Sequence, residues 1–245
     1  MSKIYLSPLV SKSLITYLQE QGHRLHFMEP LVRVEPSLAY HPDLLLCKLG
    51  VSDTAPLFRG DRARLSQVYP GDVPYNACCT GRYFIHNLKY TAPELLAAAG
   101  IVISAPAPGP QTAGPQTAGH KAQPQTGLTG AMIPVQVPQG YTKCSIVCVD
   151  ETSIITYDTG ITKACRKAGL KVLQIAPGHV RLPGYPTGFL GGASGRVGRE
   201  ILFNGDLSAH PDCAAIRDFS ESRGLSCVHF PDYPLTDVGS ILSCL

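Results

Sequence analysis

The sequence predicts an α/β protein assembled from a recurring strand–helix–strand phrase, and three observations carry that prediction. First, four helical stripes each stop at a glycine that runs directly into a strand, in QGHRLHFM, AGIVIS, AGLKVLQI and RGLSCVHF. Glycine enters the left-handed conformation that ends a helix at no steric cost. Second, once one insertion is set aside, the phrases recur at about 50 residues, the period of an internal structural repeat. Third, the composition is globular, 44% apolar and 16% charged, and no run approaches the ~20 apolar residues of a membrane span. An internal repeat of β/α units and a doubly wound parallel sheet use the same punctuation. Pattern alone leaves both open.

In chain order, Ile4 to Leu6 reads as a strand, Ser7-Pro8 as a helix start, and Val10, Leu14 and Leu18 as one apolar helical stripe ending at Gly22. Leu25 to Met28 is the answering strand. A less regular stretch follows near residues 40–80, and within it Ser52 to Ala77 is polar and rich in Gly and Pro. A connection that long points to a functional lid. Arg82 to Ile85 is a strand, Thr91-Ala92-Pro93-Glu94 opens a helix, Gly100 stops it, and Ile101 to Ile103 is the next strand. The insertion 105–127, with PQTAG in tandem, has no periodicity with which to bury a face. Pro134 to Gly140 reads as loop. Ser145 to Val149 and Ser153 to Thr156 are strands, Thr159 to Ala168 a helix, and Lys171 to Ile175 a strand. Ile201 to Phe203, a helix near Ser208 to Arg223, and a strand over Leu225 to Phe230 complete the series. We read a single domain over 1–245 carrying the 105–127 insertion.

A net charge of +3 without a Lys/Arg cluster, together with the absence of Trp, argues against a nucleic-acid partner. The N-terminus MSKIYLSPLV lacks the apolar run of a signal peptide. The expected setting is cytoplasmic, with no membrane partner. Nine cysteines, an odd number, then read as reduced thiols, mostly small core residues. No C-x-x-C occurs, so neither a metal nor another cofactor is expected. The oligomeric state is not encoded in any pattern found.

From Tyr141 to Asp237 the chain resembles the guanidino-group-modifying, or pentein, superfamily, which includes dimethylarginine dimethylaminohydrolases, deiminases and amidinotransferases. The segment Cys148 to Thr156 resembles the β-hairpin of those enzymes, and Phe189-Leu190-Gly191-Gly192-Ala193 resembles their acid-Gly-Gly-Asp motif. A strand and the turn Asn204-Gly205-Asp206-Leu207-Ser208 follow. The whole chain is more closely similar to an uncharacterised bacterial family of that superfamily, through His41-Pro42-Asp43, His86-Asn87, the hairpin, the Gly-Gly segment and Leu235 to Ser240. The resemblance implies a pentein-type β/α propeller, a pseudo-fivefold repeat of β/α units, which favours the repeated ring over the doubly wound sheet.

Enzymes of that superfamily attack a guanidinium carbon with a cysteine near the C-terminus, assisted by a histidine and by carboxylates that hold the cation. Here Leu190 and Ala193 stand where the carboxylates belong, Asp237 falls near the histidine position, and Cys244 is the residue near the nucleophile. The remaining polar set defines the candidates. His41, Asp43, Asp206, His210, Asp237 and Cys244 are the expected catalytic residues, with His86, Asn87, Gly191, Gly192, Asn204 and Asp212 expected to bind substrate. Each also has a plain structural role available to it. His210-Pro211-Asp212 can start a helix, Asp206 can cap a turn, and His86-Asn87 can end a strand. The implied function is a divergent guanidino-modifying-type enzyme, a hydrolase or transferase of a small polar nitrogenous molecule. The alternative is a non-catalytic pentein-fold binding module, as in the ribosome-binding translation initiation factor of that superfamily.

Overall fold

The structure is a computed structural model that describes residues 1–102 and 130–245. The insertion 105–127, and Ile103 of the expected third strand, lie outside the described residues. The described residues form five small sheets, and among them no sheet closes into a barrel. Strands β1 (Lys3–Leu6) and β2 (Arg24–Phe27) run parallel, joined by helix α1 (Lys12–Glu20). Strands β3 (Leu46–Lys48) and β4 (Leu57–Arg59) form a two-stranded antiparallel sheet without a helix. Next come β5 (Cys78–Cys79), β6 (Tyr83–His86), helix α2 (Pro93–Ala98) and β7 (Ile133–Gln136). Helix α3 (Thr142–Ser145) precedes β8 (Val147–Asp150), β9 (Ser153–Thr156), α4 (Thr159–Lys167) and β10 (Lys171–Gln174). Strands β11 (Ser194–Val197) and β12 (Glu200–Phe203), helix α5 (Cys213–Glu221) and β13 (Ser226–Val228) follow, and β14 (Leu242–Cys244) ends the chain.

Four sheets share one topology. The middle strand pairs antiparallel with an outer strand on one side, and through a helix it pairs parallel with a strand on the other. The sheet orders are β14-β1-β2, β5-β6-β7, β8-β9-β10 and β11-β12-β13. The four helix-ending glycines sit in each of these units with φ between 71° and 94°, at Gly22, Gly100, Gly169 and Gly224. That conformation costs a residue with a Cβ about 1 kcal/mol or more, which is why the phrase is legible in the sequence. The first helix begins later than Ser7-Pro8 suggests, because Ser11 is the N-cap and its Oγ accepts the Leu14 N–H at 3.2 Å. Ile101 and Val102 of the expected third strand lie outside any strand, and the parallel partner of β6 is β7 beyond the insertion, where loop was expected. Pro134 sits in it opposite Phe84, and an edge strand tolerates a residue without an N–H.

Apolar faces pack between neighbouring sheets. Leu14 and Leu18 of α1 cluster with Ile4 and Leu6 and with Val197 and Leu202 of the β11–β12 sheet. Ile161 and Cys165 of α4 cluster with Ile154 and with Cys78 and Ile85 of the β5–β6 sheet. The outer strands β14, β3, β5, β8 and β11 are brought together on the inside. Strand β14 lies against β11 and β3, β3 against β5, and β8 against β11. Residues from all five, Lys48, Cys78, Cys148, Gly195 and Leu242 among them, line one narrow cavity of about 40 Å³. No described helix is long and apolar enough to cross a membrane.

Candidate functional site

Each of the five inner strands is preceded by a short segment, and side chains of these segments meet one another, with Lys143 the one among those named below that also lines the cavity. His41 and Asp43 flank Pro42 in a 3-10 turn before β3, and Asn76 precedes β5. Lys143 and Cys144 lie in α3 before β8. Gly191 and Gly192 come before β11, and Asp237, Gly239 and Ser240 before β14. His41, Asp43, Asn76, Cys144, Asp237 and Ser240 are all buried.

Asp43 is the hub of this cluster. Its Oδ2 accepts from Ser240 Oγ at 2.5 Å and from Cys144 Sγ at 3.1 Å. Asn76 Nδ2 donates to Cys144 Sγ at 3.3 Å and to the Asp43 carbonyl at 3.1 Å, and Asn76 Oδ1 accepts the Lys143 N–H at 2.8 Å. Lys143 Nζ donates to Ser240 Oγ at 3.0 Å. Asp237 is fixed by its backbone neighbours, since its Oδ2 accepts the Phe189 N–H at 2.9 Å and its Oδ1 the Gly239 N–H at 3.0 Å. His41 Nδ1 stands 4.0 Å from Asp237 Oδ1.

The glycines permit this packing. A Cβ on Gly192 would lie 2.0 Å from Asp237 Oδ1, and one on Gly191 would lie 2.4 Å from the Ile146 carbonyl oxygen. Gly191 also takes part directly, its carbonyl accepting from Ser240 Oγ at 2.9 Å. Ser240 holds φ at 69°, a left-handed conformation that is unfavourable for a residue with a Cβ. That strain aims its hydroxyl at Asp43.

Burial sets the charge states. It raises the Asp43 carboxyl above the usual carboxylate range, against the pull of His41 and Lys143. It pushes Asp237 up to about 6, opposed by the Phe189 and Gly239 N–H groups. Burial also lowers His41, favouring the neutral imidazole. The Cys144 thiol is raised well above its ordinary value, by burial first and then by Asp43 and Asp237. Cys144 therefore stays protonated and is not an activated nucleophile in this arrangement, since the thiolate is the reactive form.

Of the residues singled out from sequence, His41, Asp43, Asp237, Gly191 and Gly192 are assembled here. The others are held elsewhere by structural partners. Asp206 caps a 3-10 turn, its Oδ1 accepting the Ser208 N–H at 2.9 Å, and it lies 3.3 Å from His229 Nδ1. His210 Nδ1 accepts the Asp212 N–H at 3.1 Å, and Asp212 Oδ2 accepts the Ala176 N–H at 2.6 Å. Asn204 ties the start of α1 to the 236 loop, accepting from Ser11 N at 2.9 Å and donating to the Thr236 carbonyl at 3.1 Å. Asn87 donates to the Pro138 carbonyl at 3.1 Å. Cys244 belongs to β14, opposite Lys3 of β1, so it is a sheet residue rather than part of the cluster. Asn76, Lys143, Cys144 and Ser240 were missed as site residues. Their shared signal is position, each lying just before an inner strand.

His86 has a structural role with a measurable consequence. Its ring bridges Thr91 Oγ1 at 2.7 Å and the Gly140 carbonyl at 2.9 Å, and burial pushes it down to about 4 from 6.5. The unfolded chain therefore binds this proton first. The associated stability is complete above about pH 6.5 and is lost as pH falls toward 4. The loss is on the order of 3 kcal/mol. Urea unfolding across that range should show a smaller loss for His86→Gln than for the natural chain; equal losses would assign the pH dependence to other groups.

Neither the curated proteins nor the solved structures contain a match to the chain. One family model does match, over residues 56–100 and 129–242, segments that carry Asn76, Lys143, Cys144, Asp237 and Ser240, while His41 and Asp43 precede the first of them. With more than half of its length matched, the chain belongs to that family, described as a family of unknown function (DUF6873).

Proposed function

We propose that this protein is a divergent enzyme of the guanidino-modifying type, a hydrolase or transferase of a small cationic nitrogenous molecule, built as a five-unit pentein propeller. The observation that carries the reading is the pair of buried carboxylates, Asp43 and Asp237, both close to His41 where the segments before five inner strands converge. A cation held between two carboxylates gains charge-assisted hydrogen bonds, and a neutral histidine beside it is suited to proton transfer. The propeller reading is supported by the strand order shared by four sheets and by the two-stranded β3–β4 sheet in the fifth place. Reduced cysteines in a cytoplasmic setting are part of the same reading.

A panel of guanidinium, amidine and amine compounds tested by thermal shift decides the matter. At about 100 times its dissociation constant a true ligand adds about 2.7 kcal/mol, or roughly 5–10 °C for a chain of this size. That shift should vanish in Asp43→Asn and survive in Asp206→Asn. If no compound raises the melting temperature of the natural protein, the substrate class is wrong. A second reading, a non-catalytic binding module, is favoured by one observation. The large open cleft, about 760 Å³ and lined by His179, Arg181, Tyr185, Asp206 and Tyr233, includes none of the clustered His41, Asp43 and Asp237.

A further inference from the structure

We propose that His41, Asp43 and Cys144 bind a single divalent metal ion of the zinc type. One imidazole nitrogen, one carboxylate oxygen and one sulfur lie within 4.8 Å of one another, all three residues buried, and no other such trio is found among the described residues. A tetrahedral zinc ion with bonds of about 2.0–2.3 Å separates its ligands by under 4 Å, so the donors need to close by about 1 Å.

An independent observation points the same way. Asp43 is fully buried, and while its Oδ2 accepts two hydrogen bonds, its Oδ1 has no partner. An unpartnered carboxylate oxygen in the interior is costly. A coordinated cation removes that cost and also gives the buried carboxylate its counter-charge.

The donor chemistry selects the metal. Magnesium and calcium take oxygen ligands, whereas a mixed nitrogen, oxygen and sulfur set suits zinc. On binding, the Cys144 proton now shared with Asp43 leaves to solvent and the sulfur becomes a thiolate. Asn76, which donates to Cys144 Sγ, and Ser240, which donates to Asp43 Oδ2, are placed to orient these ligands. Three protein ligands leave a fourth position open, the pattern of hydrolytic rather than structural zinc. A water there would supply the nucleophile that neither Cys144 nor Cys244 provides. Its oxygen would bond to the guanidinium carbon and stay as the urea carbonyl, the carbon–nitrogen bond would break, and both of the water's protons would end on the departing nitrogen, which leaves as an ammonium. Only the substrate class of this step rests on the function proposed above, since with Asp43 and His41 holding the metal Asp237 alone remains to meet the substrate cation; the metal site itself does not rest on it.

The test uses the full chain stripped with EDTA, titrated with zinc against a chromogenic chelator and separately with cobalt(II) followed by absorbance. One ion per chain is expected, and cobalt should give a thiolate-to-metal charge-transfer band. Cys144→Ser should abolish the band and Asp43→Asn should weaken zinc binding at least 10-fold, while Cys148→Ser and Cys244→Ser keep both properties. Absence of one-to-one uptake, or a band that survives Cys144→Ser, overturns the proposal. If Cys144→Ser does not fold, His41→Gln decides it, since unchanged zinc affinity there also overturns the site. Metal uptake without any stabilising guanidino compound would leave the site standing and remove the function; the converse result would remove the site alone.

Discussion

Gly195→Ala is expected to be among the most destabilising single substitutions in the protein, lowering its melting temperature by roughly 8–16 °C. Gly195 lies in β11, opposite Leu202, and lines the narrow cavity enclosed by the inner strands. A Cβ there would sit 2.0 Å from the Ile241 carbonyl oxygen and 2.6 Å from the Ile241 Cβ. Both belong to the segment that delivers β14 to its place, and the Ile241 N–H donates to the Ser194 carbonyl at 2.9 Å. No flexible side-chain end can move aside, so β11 and β14 must separate. Overpacking of this kind costs 1–3 kcal/mol where side chains give way, and backbone displacement puts it at about 4 kcal/mol or more. Against a total of about 5–15 kcal/mol, that is a fall of roughly 8–16 °C in melting temperature. Gly22→Ala is the matched control. Gly22 has φ 76° but nothing within 4 Å of its missing Cβ, so the cost is about 1 kcal/mol of backbone strain alone. If the two variants melt together, close approach at the cavity is not what requires Gly195.

That contrast separates what the sequence made legible from what it hid. Helix-ending glycines are local: each acts on its own turn through φ, and all four were readable along with the helices α1, α2, α4 and α5 that they end. Gly191, Gly192 and Gly195 act instead through what the fold presses against them, so their sequence signal is only a run of small residues. Strand β7 was missed for a related reason. Its partner β6 lies before the insertion, and Pro134 argues against a strand unless it is known to be an edge. The site divided along the same line. His41 and Asp43 were found because a histidine and a carboxylate beside a proline suggest chemistry on a turn. The same HPD triplet at His210 proved to be the lead-in to α5, with Asp212 spent on the Ala176 N–H. Closely spaced cysteines are the sequence signal of a zinc site, whereas Cys144 stands about a hundred positions from His41 and Asp43.

Asp237→Ala should destabilise the protein by about 3 kcal/mol, and Asp237→Asn by clearly less. The carboxylate is buried and accepts two backbone N–H groups, Phe189 at 2.9 Å and Gly239 at 3.0 Å. Through them it fixes the segments before β11 and β14. Alanine leaves both donors without a partner in the interior, each costing about 1–3 kcal/mol. It also leaves a void beside Gly192, whose missing Cβ is what gives the carboxylate room. Asparagine keeps the shape and one acceptor oxygen, so it restores one of the two bonds while its amide nitrogen faces the other N–H. Urea unfolding at pH 7.5 should therefore rank the natural chain above Asp237→Asn and Asp237→Ala last, with separations of about 1.5 kcal/mol at each step. A ranking in which alanine equals asparagine would mean that water or a shifted backbone satisfies Phe189 and Gly239. The rigid placement of Asp237 next to His41 would then lose its physical basis. A ranking as expected would show that the carboxylate is held by the fold before any substrate arrives, which is the preorganisation a cation-binding site requires.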